Sequence, residues 1–146
     1  MLTTDQKGAV AETAIIHAAV KLGIRVFKPV NDGERCDLIF DLGPRLLRVQ
    51  CKWARRQGDV VVLRCYSSRR SRDGFVTRVY TAEEVDVFAA YCPDVERCYL
   101  VPIDVISGQR YIWLRLTETR NNQAVGVRWA RDFEFSRLDW ERLTGP

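Results

Sequence analysis

Long apolar runs are missing from this chain. Nothing in its 146 residues approaches the ~18 consecutive apolar residues of a membrane span, so no membrane partner is expected. The opening segment Met1 to Lys7 has no apolar core of a secretory leader, and the chain is expected to be cytoplasmic. Histidine is almost absent: His17 stands alone, on the polar side of a predicted helix, where it reads as an exposed residue rather than a general base. None of the five cysteines, Cys36, Cys51, Cys65, Cys92 and Cys98, forms a C-x-x-C pair, so a zinc site is not expected and all five read as reduced, structural thiols. Internal repeats and domain-dividing linkers are absent too, which predicts one domain over residues 1–146. With 47% hydrophobic and 29% charged residues, that domain has enough apolar material for one water-soluble core.

Lysine is scarce and arginine is not. Only four of the 23 basic residues are Lys, and the Arg fork meets phosphate oxygens in pairs where an ammonium is a point charge. The net charge is just +4, yet Lys52, Arg55, Arg56, Arg64, Arg69, Arg70, Arg72 and Arg78 crowd one segment against only Asp59 and Asp73. A segment more basic than the whole chain is the electrostatic footprint of a nucleic acid. Arg55, Arg56, Arg69, Arg70 and Arg72 are its candidate phosphate contacts; the alternative is a solvated loop.

Next to this segment lie two strand-like runs, 36–42 and 46–53, joined by Leu42-Gly43-Pro44-Arg45. Gly-Pro marks a turn, so the runs are predicted to pair as a hairpin. Alternation puts Asp37, Ile39 and Asp41 on one face and Arg48, Gln50 and Lys52 on the matching face of the second run. Burying Leu38, Phe40, Leu47, Val49 and Cys51 then presents Asp37, Gln50 and Lys52 together. Mg²⁺ seeks oxygen ligands, commonly one or two carboxylates with water and substrate phosphate. Asp37 offers the carboxylate, and the Gln50 side chain and the Cys51 backbone carbonyl offer neutral oxygens. Lys52 offers an ammonium that can orient water and offset charge developing on a phosphate. The competing interpretation is an ordinary exposed strand face.

Residues 5–22 have helical periodicity, with Asp5 as the expected N-cap and Gly23 as the stop. Ala11, Ile15, Ala18, Ala19 and Leu22 form the apolar stripe, and Glu12 projects at its margin. A carboxylate there needs a metal, a hydrogen bond or a cation. A basic partner on the surface accounts for Glu12 as simply as a metal does.

In this order, Gly8 and Glu12, Gly23, Asp37, then Gln50-Cys51-Lys52, the chain resembles the PD-(D/E)XK nuclease superfamily. The likeness extends to Tyr80–Ala89 and Tyr99–Pro102, and within the superfamily it is greatest to group I intron homing endonucleases with a PD-(D/Q)XK-type motif. Archaeal Holliday-junction resolvases are a more distant likeness. The chain departs from the motif at Cys36, where the name specifies Pro, and at Gln50, where it specifies an acid. The resemblance implies an α/β fold with a mixed central sheet flanked by helices. It implies a Mg²⁺-dependent (or Mn²⁺-dependent) endonuclease of double-stranded DNA. It implies catalytic residues Glu12, Asp37, Gln50 and Lys52, with metal at Asp37, Gln50, the Cys51 carbonyl and Glu12, the last directly or through water. Cutting both strands requires two copies, so a homodimer or homotetramer is expected. Two other functions remain open: a junction-specific nuclease, and a non-catalytic nucleic-acid-binding module of the same fold, which Gln50 would explain.

Elsewhere, strands are predicted over 25–30, 59–66, 97–103 and 110–116. Turns or loops are predicted at 31–34, 55–58, 67–74 and 117–123. Thr81-Ala82-Glu83-Glu84 reads as a capping box opening a helix over 82–91. Asp86 on that segment reads equally as a site neighbour and as a surface acid. The aromatics Trp129, Phe133, Phe135 and Trp140 of segment 124–146 read as core and interface rather than as a base-stacking surface.

Overall fold

The computed structural model describes residues 1–118 and 126–144. Helix α1, Thr4–Lys21, is capped by Thr3, two residues before the predicted cap Asp5. Thr3 accepts from the Gln6 backbone N–H while the Gln6 side chain accepts from the Thr3 N–H, a reciprocal box that Asp5 cannot make. It ends where Gly23 adopts φ +82°, open to glycine at little cost. Ala11, Ile15 and Ala19 are its buried positions.

Ten strands follow. The principal sheet has the order β1 (Arg25–Phe27), β2 (Leu38–Asp41), β3 (Leu46–Trp53), β8 (Val87–Cys92), β9 (Arg97–Pro102). Only β3 and β8 pair in parallel, so the sheet is mixed. A smaller sheet orders β10 (Tyr111–Arg115), β5 (Val60–Arg64) and β4 (Arg55–Gln57), and a hairpin joins β6 (Tyr66–Ser71) to β7 (Gly74–Val79). A single-turn helix α2, Ile103–Ile106, follows β9. One core lies between α1 and the principal sheet, around Ile15, Leu38, Phe40, Leu47, Val49 and Leu100. The other lies between that sheet and the smaller one, around Leu63, Phe88, Tyr99, Ile112 and Leu114. The α/β class with a mixed central sheet therefore holds, but a second sheet stands where a second flanking helix was expected.

That helix, over 82–91, does not form. Thr81 and Glu84 do meet, with Glu84 N–H donating to the Thr81 carbonyl at 3.0 Å, but the turn they close is not continued. The Asp86 N–H goes instead to the Arg48 carbonyl, and β8 begins. Val87, Phe88, Ala89, Ala90 and Cys92 are all buried, because β8 is an interior strand covered on both faces. A helix with one apolar face would have left part of this run in water.

The predicted loop 67–74 is the hairpin β6–β7, and the predicted turn at 55–58 contains β4. Their polarity marks exposure, which a strand at the rim satisfies as readily as a loop. Residues 119–123 of the predicted loop 117–123 lie outside the described residues, as do residues 124–125 and 145–146 of the C-terminal segment. Phe135 and Trp140 pack edge to face at 5.4 Å and both sit against Phe40, in keeping with the core role expected of them. Among the described residues no helix is long and apolar enough to cross a membrane.

Candidate active site

The predicted hairpin is β2–β3, with Leu38 opposite Val49 and Phe40 opposite Leu47. Asp37 extends the pairing: its N–H donates to the Val49 carbonyl at 2.8 Å, and its Oδ2 accepts from the Cys51 N–H at 2.9 Å. The carboxylate is thus fixed on the backbone of the strand that carries Gln50 and Lys52. Leu47, Val49 and Cys51 turn toward α1, so Gln50 and Lys52 turn toward the smaller sheet.

Each of these groups is electrostatically incomplete. Burial raises the Asp37 pKa above the usual carboxylate value; the Cys51 N–H opposes this, the nearby Glu12 charge adds to it, and Lys52 and Lys28 oppose it. Gln50 is the one buried polar or charged residue among those described, and its Oε1 has no hydrogen-bond donor. Such an orphan is uncommon in a folded protein. Burial, with the Arg64 charge second, brings the Lys52 ammonium down to about 8. Its Nζ donates to the Tyr66 carbonyl at 3.2 Å and lies 5.2 Å from the Tyr80 ring centre.

Glu12 reaches this site from α1 and pairs with Lys28 at 2.9 Å. It is therefore both a neighbour of Asp37 and one half of an ordinary ion pair. Lys28 was not among the sequence candidates, and no spacing signal singles it out. Arg35, Tyr66 and Tyr80 were missed likewise; the aromatics that bracket the basic segment are the only hint the sequence offers. Asp86 lies away from the cluster, where its Oδ2 accepts from the Arg48 backbone N–H at 2.7 Å and from the Arg48 side chain.

Among the described residues no three His, Cys, Asp or Glu side chains are grouped as a metal site. The oxygen set is of another kind: the Asp37 carboxylate, the orphaned Gln50 amide oxygen, the Cys51 carbonyl and the neighbouring Glu12. A desolvated carboxylate beside an unpartnered amide oxygen lacks positive charge, and a hard divalent cation would supply it. The residues present fit such an ion.

The five candidate phosphate contacts are spread over β4 and the β6–β7 hairpin. Arg56 is tied down, its N–H on Asp94 at 2.9 Å, its Nε on the Gly58 carbonyl at 2.8 Å and its guanidinium 3.8 Å from Asp59. Arg55 is exposed on β4. Arg69 opposes Val76 and Arg70 opposes Phe75, so the two project from opposite faces of the β6–β7 hairpin, with Arg72 in its turn.

Among curated proteins none matches the chain. The bacterial homing endonuclease I-Ssp6803I is a solved structure similar to it, with a TM-score of 0.76 and 28% sequence identity over 98% of this chain and 94% of that one. The family model described as PD-(D/E)XK endonuclease matches residues 2–136. A match over so much of the chain shows that it belongs to the PD-(D/E)XK endonuclease family.

Proposed function

We propose that residues 1–146 form a single nuclease domain, a cytoplasmic endonuclease that hydrolyses phosphodiester bonds of double-stranded DNA with Mg²⁺ or Mn²⁺. We place it with the homing-type double-strand cutters. The observation that carries this reading is the juxtaposition of Asp37, the orphaned Gln50 oxygen and the desolvated Lys52 at the end of one hairpin. Asp37 and Gln50 would hold the cation, with the Cys51 carbonyl and Glu12 assisting. When bound, the cation supplies Lewis-acid polarisation of the phosphate and a more acidic water.

The chain's own side chains do the rest. Asp37 is held rigidly by the Cys51 N–H, so it can fix the position of the scissile group at little entropic cost. Lys52, with a pKa of about 8, is mostly protonated at neutral pH, where it orients a water and offsets charge on the phosphate. The Arg residues of β4 and of β6–β7 bind the DNA backbone. One domain holds one such site, so a homodimer or homotetramer would cut both strands.

The test incubates supercoiled plasmid, linear duplex and a four-way junction with Mg²⁺, Mn²⁺ or a chelator, alongside light scattering for subunit number. Cation-dependent cutting of duplex supports the proposal. Cutting of the junction alone makes the chain a resolvase-like enzyme. DNA binding without cutting under either cation makes it a binding module, with Gln50 as the reason.

A further inference from the structure

The β6–β7 hairpin stands apart as a two-stranded sheet, and Arg35 fastens its root to the body of the molecule. Arg35 Nε donates to Glu84 at 2.8 Å, one terminal nitrogen to Ser67 Oγ at 2.9 Å, and the other to the Val79 carbonyl at 3.1 Å. Its guanidinium also stacks 3.8 Å from the Tyr80 ring centre. Ser67 belongs to the outgoing strand and Val79 to the returning one, so a single planar group grips both strands.

Lys52 grips the same root. Its Nζ donates to the Tyr66 carbonyl, and Tyr66 is the ladder partner of Val79. Its ammonium lies on the Tyr80 ring that Arg35 also stacks against. The contacts form a closed circuit: Arg35 to Val79, across the ladder to Tyr66, to Lys52, to Tyr80, and back to Arg35. Arg35 is also two residues before Asp37 in the chain.

We infer that Arg35 is a positioning residue that makes the hairpin and the Lys52 ammonium one mechanical unit, so that seating of DNA on β6–β7 sets Lys52 against the phosphate. The inference rests on the nuclease reading for its consequence, but the circuit itself does not depend on cleavage. Glu84 completes it by holding Arg35 and Arg78 together, each at 2.8–2.9 Å. Lysine at position 35 keeps the charge and loses the fork, so it cannot hold both strands.

Arg35→Met and Arg35→Lys are compared with Lys52→Met and with the Arg35→Met/Lys52→Met double variant. At saturating protein, each Arg35 variant is expected to slow single-turnover cleavage on the order of 10- to 100-fold, the scale of a displaced catalytic group. DNA affinity measured in chelator stays near the wild-type value. The double variant is no slower than Lys52→Met alone, because Arg35 acts through Lys52. Equal loss from Arg35→Met with or without Lys52 overturns the inference, as does a loss confined to affinity.

A second readout needs no activity. The chain has four lysines, so ε-¹³C labelling gives four methylene signals, and the one absent from Lys52→Met is that of Lys52. The Tyr80 ring displaces this signal in wild type, and it moves toward those of Lys21 and Lys28 in Arg35→Met, and also in Arg35→Lys, where comparison with Arg35→Lys/Lys52→Met separates it from the fifth lysine signal. If it does not move, the inference fails, even in an active enzyme. If it moves in a protein that cuts no DNA, the positioning stands and the nuclease reading falls. Arg35→Lys, the milder change, decides the matter if Arg35→Met does not fold.

Discussion

Asp37 and Asp86 make a controlled comparison within one molecule. Both accept a hydrogen bond from a backbone N–H of β3, Asp37 from Cys51 at 2.9 Å and Asp86 from Arg48 at 2.7 Å. Burial pushes both carboxyls up. At Asp86 the Arg48 hydrogen bonds and charge, with Arg45 at 3.7 Å behind them, outweigh burial and hold the pKa below the usual range. At Asp37 no guanidinium among the described residues is in contact, Glu12 adds a like charge, and the pKa stays raised. On the proposed function, the difference separates an acid that serves the fold from one left for a cation: the first charge is satisfied within the chain and the second is left in deficit.

The sharpest way to break this comparison is to neutralise each acid in turn. Asp37→Asn should slow cleavage on the order of 10²- to 10³-fold or more, the scale of losing one preorganised electrostatic group, while leaving DNA binding intact. Asp86→Asn should keep most of the rate. Stability should show the opposite. A carboxyl whose folded pKa is raised stabilises the fold only when protonated, and that contribution is lost as pH rises through the raised value. In chelator at neutral pH, Asp37→Asn should therefore melt above wild type, and added Mg²⁺ should raise only the wild-type midpoint. A wild-type rate from Asp37→Asn would remove Asp37 from the site.

Gln50 extends the test to a neutral group. Gln50→Ala should raise the Mg²⁺ concentration that cleavage requires by about 10- to 100-fold, as losses around metal sites commonly do. Gln50→Glu should retain activity and respond to lower Mg²⁺, since it adds a charge to the oxygen set. Cation titrations that superimpose for Gln50→Ala and wild type would show that its orphaned oxygen has no ligand role.

For Asp86 the expected effect is on folding alone. Asp86→Asn should lose about 1–2 kcal/mol at neutral pH, in the range for hydrogen bonds to charged groups at a partly exposed pair. Because its folded pKa lies below the ordinary 3.8, that stability is present above 3.8 and is lost as pH falls through the depressed value. Urea midpoints from neutral pH to acid check the convergence of the two proteins; a gap that persists below both pKa values would assign the loss to packing.

The smallest effect concerns the hairpin, where the Arg69 and Arg70 side chains are exposed. Arg69 and Arg70 face opposite ways, so a duplex lying on one face should reach only one of them. One Ala substitution should lower the log–log salt slope of binding by about 0.9 and the other leave it unchanged. Equal changes from both would mean that DNA wraps the hairpin.

What the sequence made legible follows from the range of the forces involved. Helix α1 and the β2–β3 hairpin rest on local periodicity and a Gly-Pro turn, and with them came Asp37, Gln50 and Lys52 on one surface. Strand β8 was misread because Thr81 and Glu84 do make a local cap, while the burial that overrides it comes from β3 and β9 on either side. The polar hairpin was misread because Ser and Arg composition reports water contact, not backbone pairing. Lys28 and Arg35 were invisible because each acts on residues distant in the chain: Glu12 for the first, Ser67, Val79 and Glu84 for the second.

The parallel pairing of β3 with β8 also orders events in time. The β2–β3 hairpin closes over a four-residue turn, so Asp37 meets Gln50 early. Val49 reaches Val87 only after the chain has travelled through β4, β5, β6 and β7 and come back. Closing so long an excursion costs entropy before it returns any contact, which makes it the slow step of assembly. Until then Gln50 lacks Phe88 beside it and the hairpin end keeps its water. A nascent chain stopped short of β8 carries every residue of the motif and none of the desolvation that gives those residues their chemistry.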